Sequence, residues 1–371
     1  MNLNNPFLVR GYSGPEYFCD REDETSKMVS FLTNEGDVTL IAPRRYGKTG
    51  LIHHVFEHMP KDTITIYLDI YATRDLAEFT RMFAAAVVGA LDTKVEKAMS
   101  AAVKFFRSCR PTVTPQEFGF PKFSFDVVPS TAEATLKEVF EYLKARERRV
   151  VIAIDEFQQV LEYPEKGTEA LLRSYMQFVP FVRFVFSGSR QHLMREMFLS
   201  AKHPFYQSTD ILSLQPIDRT KYMEFARRFF VAKRKPFDEE SFYWVYDRFD
   251  GVTWYVQMVL RQLWIAGGGL PDRATAESMI EEIVETRRFE FFDLYEAQNE
   301  SSRRLLRAIA VAGPVAEPLA GDFIVKHGLR ATSSVASALK DLLGRDLLYK
   351  MPTGEYIVYD RFFGTWLRSL L

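Results

Sequence analysis

The sequence predicts an α/β protein: a parallel sheet covered by helices, then an all-helical block, then a small winged helix-turn-helix. Three observations predict it. A short apolar run, Val38 to Ile41, leads into the turn Pro43-Arg44-Arg45-Tyr46-Gly47-Lys48-Thr49-Gly50 and then into helical periodicity. A second run, Val150 to Ile154, is β-branched without alternation, as strands buried on both faces are, and it ends in Asp155-Glu156. Strand-helix alternation then stops near Pro216.

The first turn carries chemistry. Its spacing matches G-x-x-x-x-G-K-[ST] except that Ala42 stands where the first glycine usually does. Gly47 lets backbone amides turn inward around the β- and γ-phosphates of a nucleotide, and Lys48 brings a point charge to the same oxygens. Thr49 offers a hydroxyl to Mg²⁺, and a helix starting near Lys48 aims its positive end at the phosphates. Alone, the pattern competes with an ordinary strand-turn-helix bearing a surface lysine. The acidic strand decides against that reading, because carboxylates at the C-terminal end of a parallel strand lie on the rim where open α/β sheets bind ligands. Asp155 is placed to hold the metal and Glu156 to polarise the water that attacks the γ-phosphate.

The remaining elements follow in order. Asp20 is expected to cap a helix carrying Met28, Phe31 and Leu32. The helix after the loop runs from Lys48 to His58, the next strand covers Thr63 to Asp69, and an amphipathic helix covers Leu76 to Leu91. Residues 107 to 130 are irregular; Phe118, Phe120, Phe123 and Phe125 alternate with small or polar residues, the pattern of a hairpin or an insertion packed on the core. Helices over 131–145 and 168–179 flank the acidic strand. Phe181 to Phe186 reads as another buried strand, ending in Ser187-Gly188-Ser189. Ser187 is the candidate sensor of the γ-phosphate, Ser189 the second choice, and a plain Ser-Gly turn the competing reading.

From 216 to about 300 the chain reads as four helices, Asp218 to Phe230, Glu239 to Phe249, Thr253 to Ala266 and Ala274 to Ala297, broken at Pro236, Gly251 and Gly267-Gly268-Gly269. The final block offers helices over 302–311, 318–327 and 332–343, then two short strands around Pro352-Thr353-Gly354. The domains expected are a core over 1–215, a helical lid over 216–300 and a winged helix over 301–371. The candidate recognition helix presents Ser333, Ser334, Ser337 and Lys340, and Arg330, Arg345 and Lys350 are offset by Asp322, Asp346 and Glu355. Packing or a protein partner is therefore favoured over direct DNA contact.

Composition sets the outer limits. The chain has 371 residues, 47% hydrophobic and 14% aromatic, enough for two or three domains with dense cores. Lys plus Arg (48) nearly cancels Asp plus Glu (49), which argues against a strongly basic nucleic-acid binder. Cys19 and Cys109 lie far apart, and the six histidines form no metal-ligand spacing, so neither a disulfide scaffold nor a zinc site is expected. No secretory leader or membrane span is legible, and a cytoplasmic location is expected. No residue pattern fixes an oligomeric state.

Taken together, Asn5-Pro6-Phe7, Tyr17 to Glu22, the Arg-Arg pair inside the loop, Ile154 to Gln158, Ser187-Gly188-Ser189 and the closing Tyr359 to Leu367 make the chain resemble the archaeal-type ATPases of the P-loop AAA-like/STAND superfamily, widespread in archaea and in Bacteroides-like bacteria. The resemblance covers nearly the full length. It implies an ATP-binding P-loop NTPase core, a helical lid, a C-terminal winged helix, ATP/ADP and Mg²⁺ as cofactors, and a position near the adenine for Arg21. Relatives carry a Gly-x-Pro turn in the lid; here Gly251-Val252-Thr253 stands in its place. A Tyr-Gly-Arg sequence after the sensor strand is replaced by Phe205-Tyr206-Gln207-Ser208, which leaves Arg190, Arg44 and Arg45 as local candidates for a transition-state arginine. The implied activity is slow Mg²⁺-dependent ATP hydrolysis acting as a nucleotide-gated switch. The alternative is a nucleotide-gated scaffold for a partner or DNA with little hydrolysis.

Overall fold

The computed structural model describes residues 4–91, 105–114, 122–351 and 353–370. They fall into two compact units, Arg10–Lys221 and a second made of Met1–Val9 with Tyr222–Leu371.

The first unit is built on a five-stranded sheet in the order β2-β5-β6-β1-β7. Its strands are β1 (Val38–Ile41), β2 (Ile64–Asp69), β5 (Val150–Asp155), β6 (Val182–Gly188) and β7 (Asp210–Ser213). Every neighbouring pair is parallel. The four residues of β1 and the six of β5 are all buried, which is why these runs show no alternation. The helices α1 (Glu22–Thr33), α2 (Lys48–His58), α3 (Leu76–Leu91), α4 (Ala132–Ala145), α5 (Thr168–Met176) and α6 (Gln191–Leu199) belong to this unit. Two apolar clusters divide the sheet. One gathers Phe79, Phe83, Phe140, Ile152, Phe184 and Phe186, and the other Met28, Leu40, Leu51, Val55, Val151 and Val185. Alternate residues of β5 and β6 thus pack on opposite layers, a doubly covered sheet.

Two antiparallel strands, β3 (Arg110–Thr114) and β4 (Lys122–Asp126), form the hairpin expected from the alternating phenylalanines. Phe125 is buried against Phe106, with ring centroids 5.1 Å apart, whereas Phe118 and Phe120 lie outside the described residues. Asp20 does not cap α1. The residue at that boundary is Arg21 in the left-handed region (φ 79°), with no capping hydrogen bond. The Asp20 carboxylate instead accepts from Lys221 Nζ at 2.6 Å and from the Asp218 amide at 3.3 Å.

In the second unit, α7 (Arg219–Ala232), α8 (Glu239–Arg248), α9 (Thr253–Ala266), α10 (Arg273–Thr286) and α11 (Arg288–Glu296) precede α12 (Glu300–Ala312), α13 (Gly321–Lys326) and α14 (Thr332–Gly344), with α7 beginning just before the unit boundary. A hairpin of β8 (Leu348–Lys350) and β9 (Tyr356–Val358) and a last helix, α15 (Arg361–Ser369), complete a winged helix. The single helix expected over 274–297 is broken at Arg287. There the guanidinium pairs with Glu290 at 2.8 Å and lies 4.6 Å over the Phe291 ring, and the turn lets Phe291 bury against Phe363. The helix expected over 318–327 begins only at Gly321, because a turn closed by the Ala320 amide on the Glu317 carbonyl takes up its start. Asn5-Pro6-Phe7 packs in this unit: Phe7 is buried and stacks on Phe230 at 5.2 Å, and Trp264 Nε1 donates to the Asn4 carbonyl at 2.7 Å. Among the described residues no helix is long and apolar enough to cross a membrane.

Candidate functional site

The sheet order places the C-terminal ends of β1, β5 and β6 side by side, so the loop after β1 meets the acids of β5 and the serines of β6. Within the loop the left-handed residues are Arg45 (φ 72°) and Gly47 (φ 86°). Gly47 adopts that region without a Cβ penalty, and Arg45 holds it against one. Ala42, where the first glycine of the motif would stand, is fully buried against Leu51 and Val151 and is not among the positive-φ positions, so an alanine fits.

Lys48 opens α2 and is only 6% exposed. Its ammonium donates to the carbonyls of Ala42 at 3.1 Å and Pro43 at 3.3 Å. Burial pulls its pKa below the ordinary lysine value, while the charges of Asp155 and Glu156 pull it back up.

Asp155 is the hub. Thr49 Oγ1 at 3.0 Å and Tyr67 Oη at 2.7 Å donate to its Oδ2, and Ser187 Oγ at 2.7 Å and the Glu156 amide at 3.0 Å donate to its Oδ1. Four donors converge on one carboxylate that is only 4% exposed. The Tyr67 phenol is pushed far above its ordinary pKa, first by burial and then by the Asp155 charge, and so stays a donor. Asp69, paired with Asp155 across β2 and β5, is also raised, chiefly by burial.

Glu156 occupies the left-handed region (φ 56°) at the start of a short 3₁₀ turn, Phe157–Glu162. Its Oε2 accepts from Gln158 Nε2 at 2.6 Å and from Ser189 Oγ at 2.7 Å. Arg44 Nε in turn donates to Ser189 Oγ at 3.2 Å and lies 5.7 Å over the Tyr71 ring, so the phosphate loop and the acidic strand are joined through that serine.

The structure therefore brings Arg44, Lys48, Thr49, Asp155, Glu156, Ser187 and Ser189 together, with Pro43, Arg45, Tyr46, Gly47 and Gly50 in the same loop and first helical turn. Arg190 points to Glu162 at 2.9 Å. Arg21 is buried, pairing with Glu24 at 2.7 Å and donating to the Gln215 carbonyl at 2.7 Å. Sequence reasoning missed Tyr67 and Gln158. Tyr67 had a legible signal, since it lies two residues before the end of the strand next to the acidic one, on the face shared with Asp155. Gln158 reaches back only because of the left-handed turn at Glu156, which leaves no trace in composition.

Hard oxygens from Thr49 and Asp155, 3.0 Å apart, suit Mg²⁺, which keeps several waters and needs few protein ligands. Among the described residues no group of three or more His, Cys, Asp or Glu converges as a denser metal site would.

Residues 18–259 match the family model of an ATPase domain predominantly from Archaea, and residues 289–369 match that of a probable winged helix domain. A Walker-type ATPase of Pyrococcus abyssi has a similar fold, with a TM-score of 0.65 at 20% identity over 98% of this chain and 99% of that one. The ORC2 protein of Aeropyrum pernix in its ADP form superposes with a TM-score of 0.54 at 14% identity over 98% and 97% of the two chains. A comparison with curated proteins finds no match.

Proposed function

The chain belongs to the ATPase domain family found predominantly in Archaea, and from that premise we propose that it binds Mg²⁺-ATP at the loop after β1 and hydrolyses it slowly, as a nucleotide-gated switch. The observation that carries this reading is the convergence on Asp155 of hydroxyls from α2, β2 and β6 beside the buried Lys48. On nucleotide binding Lys48 exchanges the Ala42 and Pro43 carbonyls for phosphate oxygens. Thr49 and Asp155 hold the metal, which when bound neutralises charge on the phosphate tail. Glu156 accepts the proton of the attacking water, and Ser187, already on Asp155, registers the γ-phosphate. Arg21 stays a member of the adenine end through its hold on α1.

Slow turnover is supported by two features. Glu156 Oε2 is engaged by both Gln158 and Ser189, so only its Oε1 can meet the attacking water unless the side chain turns out of that hold. Arg190, one candidate for the transition-state charge, is paired with Glu162, and such an arginine is worth about 10³ to 10⁵ in rate. Of the core expected over 1–215 we assign 10–215 to catalysis, since Asn5-Pro6-Phe7 packs in the second unit, and we assign 216–300 to a lid and 301–371 to the winged helix as the readout. Arg345 on the winged helix is tied to Asp341 at 3.0 Å, and Arg330 pairs with Glu300, which favours a protein partner over DNA. A cytoplasmic location goes with this reading.

The second reading, a scaffold that binds nucleotide and hydrolyses little, draws on the same double hold on Glu156. Calorimetry with Mg²⁺-ATP and single-turnover phosphate release from wild type, Lys48→Ala and Glu156→Gln separate the two. We expect binding by wild type that Lys48→Ala abolishes, and slow release that Glu156→Gln lowers at least about a hundredfold. Binding with equally negligible release from wild type and Glu156→Gln leaves only the scaffold. No binding heat from wild type removes both.

A further inference from the structure

The second unit contains a cavity of about 170 Å³ bounded by the end of α8, by α12, by β9 and by α15. Arg248, Arg361 and Arg368 all line it, and Asp250 is the acid of its wall. Arg361 Nη2 donates to Asp250 at 2.5 Å. Arg368 is held from behind by the Ala310 carbonyl at 3.1 Å and by Thr365 Oγ1 at 3.0 Å, both uncharged. Arg248, at the exposed rim, reaches Thr365 Oγ1 only at 3.4 Å. Glu277, which also acts on Arg248, is paired with Arg273 at 2.8 Å.

Among the described residues, one carboxylate lines the cavity against three guanidinium groups, which leaves positive charge in its wall. Burial, and then the charges of Arg248 and Arg361, push Arg368 down to about 10, so it remains ionised at neutral pH under mutual repulsion. A fold that merely filled this space with side chains has no reason to point three cations into it.

We propose that this cavity binds a phosphate-class oxyanion, either inorganic phosphate or the phosphate of a small organic ester. Guanidinium forks match the oxygens of a tetrahedral phosphate in paired hydrogen bonds. Ile309 and Ile357 supply apolar wall for a short organic body. The space falls below the roughly 300 to 1,000 Å³ of pockets that take drug-sized ligands, which fits a small ester and not a whole nucleoside triphosphate. This site is independent of the loop after β1 and does not rest on the proposed ATPase activity.

The test uses the full chain carrying Lys48→Ala, which silences phosphate binding at the loop. It is titrated calorimetrically with inorganic phosphate and, separately, with glycerol 3-phosphate at constant ionic strength in chloride. Saturable one-to-one binding is expected, weakened about tenfold or more by Arg248→Gln, which gives up a single long hydrogen bond and whose folding circular dichroism checks. Arg361→Gln is the second variant, expected to weaken binding as well. Tighter binding of the ester assigns the organic source, and equal or tighter binding of the free ion assigns inorganic phosphate. No saturable binding of either probe overturns the proposal, as does affinity unchanged in both variants. Binding of duplex DNA through these arginines without binding of either small probe overturns it equally.

Discussion

At the rim of the sheet one buried cation, Lys48, faces the charges of two carboxylates, whereas in the C-terminal cavity three guanidinium groups share one acid. Both regions concentrate charge away from water, yet they balance it differently. Around Asp155 every donor comes from a different element and each ends on a carboxylate oxygen, so removing that carboxylate takes the acceptor from hydroxyls on three elements at once. Around Arg368 the bonds go to a carbonyl and a hydroxyl, so among the described residues no carboxylate is bonded to that charge. A charge-matched buried cluster is rigid and expensive to break, and a mismatched one is a surface waiting for an ion.

The largest effect that tests this contrast is expected at Asp155. Asp155→Asn keeps the shape but turns one oxygen into a donor, which opposes the Thr49 and Tyr67 hydroxyls and withdraws a negative charge from beside buried Lys48. Urea unfolding of the full chain should show the transition of the N-terminal unit destabilised by about 3 kcal/mol. A loss under about 1 kcal/mol would mean that the cluster is not tightly coupled, and the contrast with the cavity would fail.

A carboxylate at the opposite end of the same sheet gives an intermediate case. Asp37, just before β1, accepts one backbone hydrogen bond, from Phe184 at 2.8 Å. Burial raises its pKa from 3.8 to about 6, with Arg183 and Arg173 drawing it only part of the way back. The folded protein therefore holds this proton more tightly than the unfolded chain does. The resulting stabilisation is complete below about pH 4 and is lost as pH rises through about 6. The stability difference between wild type and Asp37→Asn should accordingly drift in favour of the variant by about 2 kcal/mol between pH 4 and 7, measured by urea unfolding at each pH. A flat difference would show that the arginines satisfy this group as fully as hydroxyls satisfy Asp155.

The contrast also explains what was legible in the sequence. The rim is assembled at the ends of strands, and strands with continuous β-branched runs announce both their burial and their C-terminal ends; Gly47, Lys48, Thr49, Asp155 and Glu156 can be placed from spacing, whereas at Ser187 the residues alone leave a plain Ser-Gly turn open. The edge strand β7 was missed because Asp210-Ile211-Leu212-Ser213 is too short and too polar at its ends to read as one. Helix α6 and the closing helix α15 are not read from the sequence either, although the residues of α15 carry part of the family resemblance. The arginines of the cavity lie on α8 and α15, more than a hundred residues apart, and each is an ordinary surface residue in its own helical pattern. Only the packing of α8, α12, β9 and α15 within one unit makes them neighbours, and periodicity carries no information about that.

The smallest expected effect on stability is the sharpest check. Neutralising a charge at the rim of the sheet should be costly; neutralising one in the cavity should not. Arg248→Gln gives up a single 3.4 Å hydrogen bond to Thr365 and removes one of the charges that press on Arg368. The side chain is exposed at the rim, so solvent already screens its attraction to Asp250. The two contributions oppose each other, and unfolding in urea at low salt without added phosphate should leave the variant within about 0.5 kcal/mol of wild type, on the stable side. Raising the salt should shrink even that gain, since screening relieves the same repulsion in wild type. A loss above about 1 kcal/mol that salt does not change would show that Arg248 is bound into the fold as firmly as the donors on Asp155, and the distinction between a matched and a mismatched cluster would no longer describe this molecule.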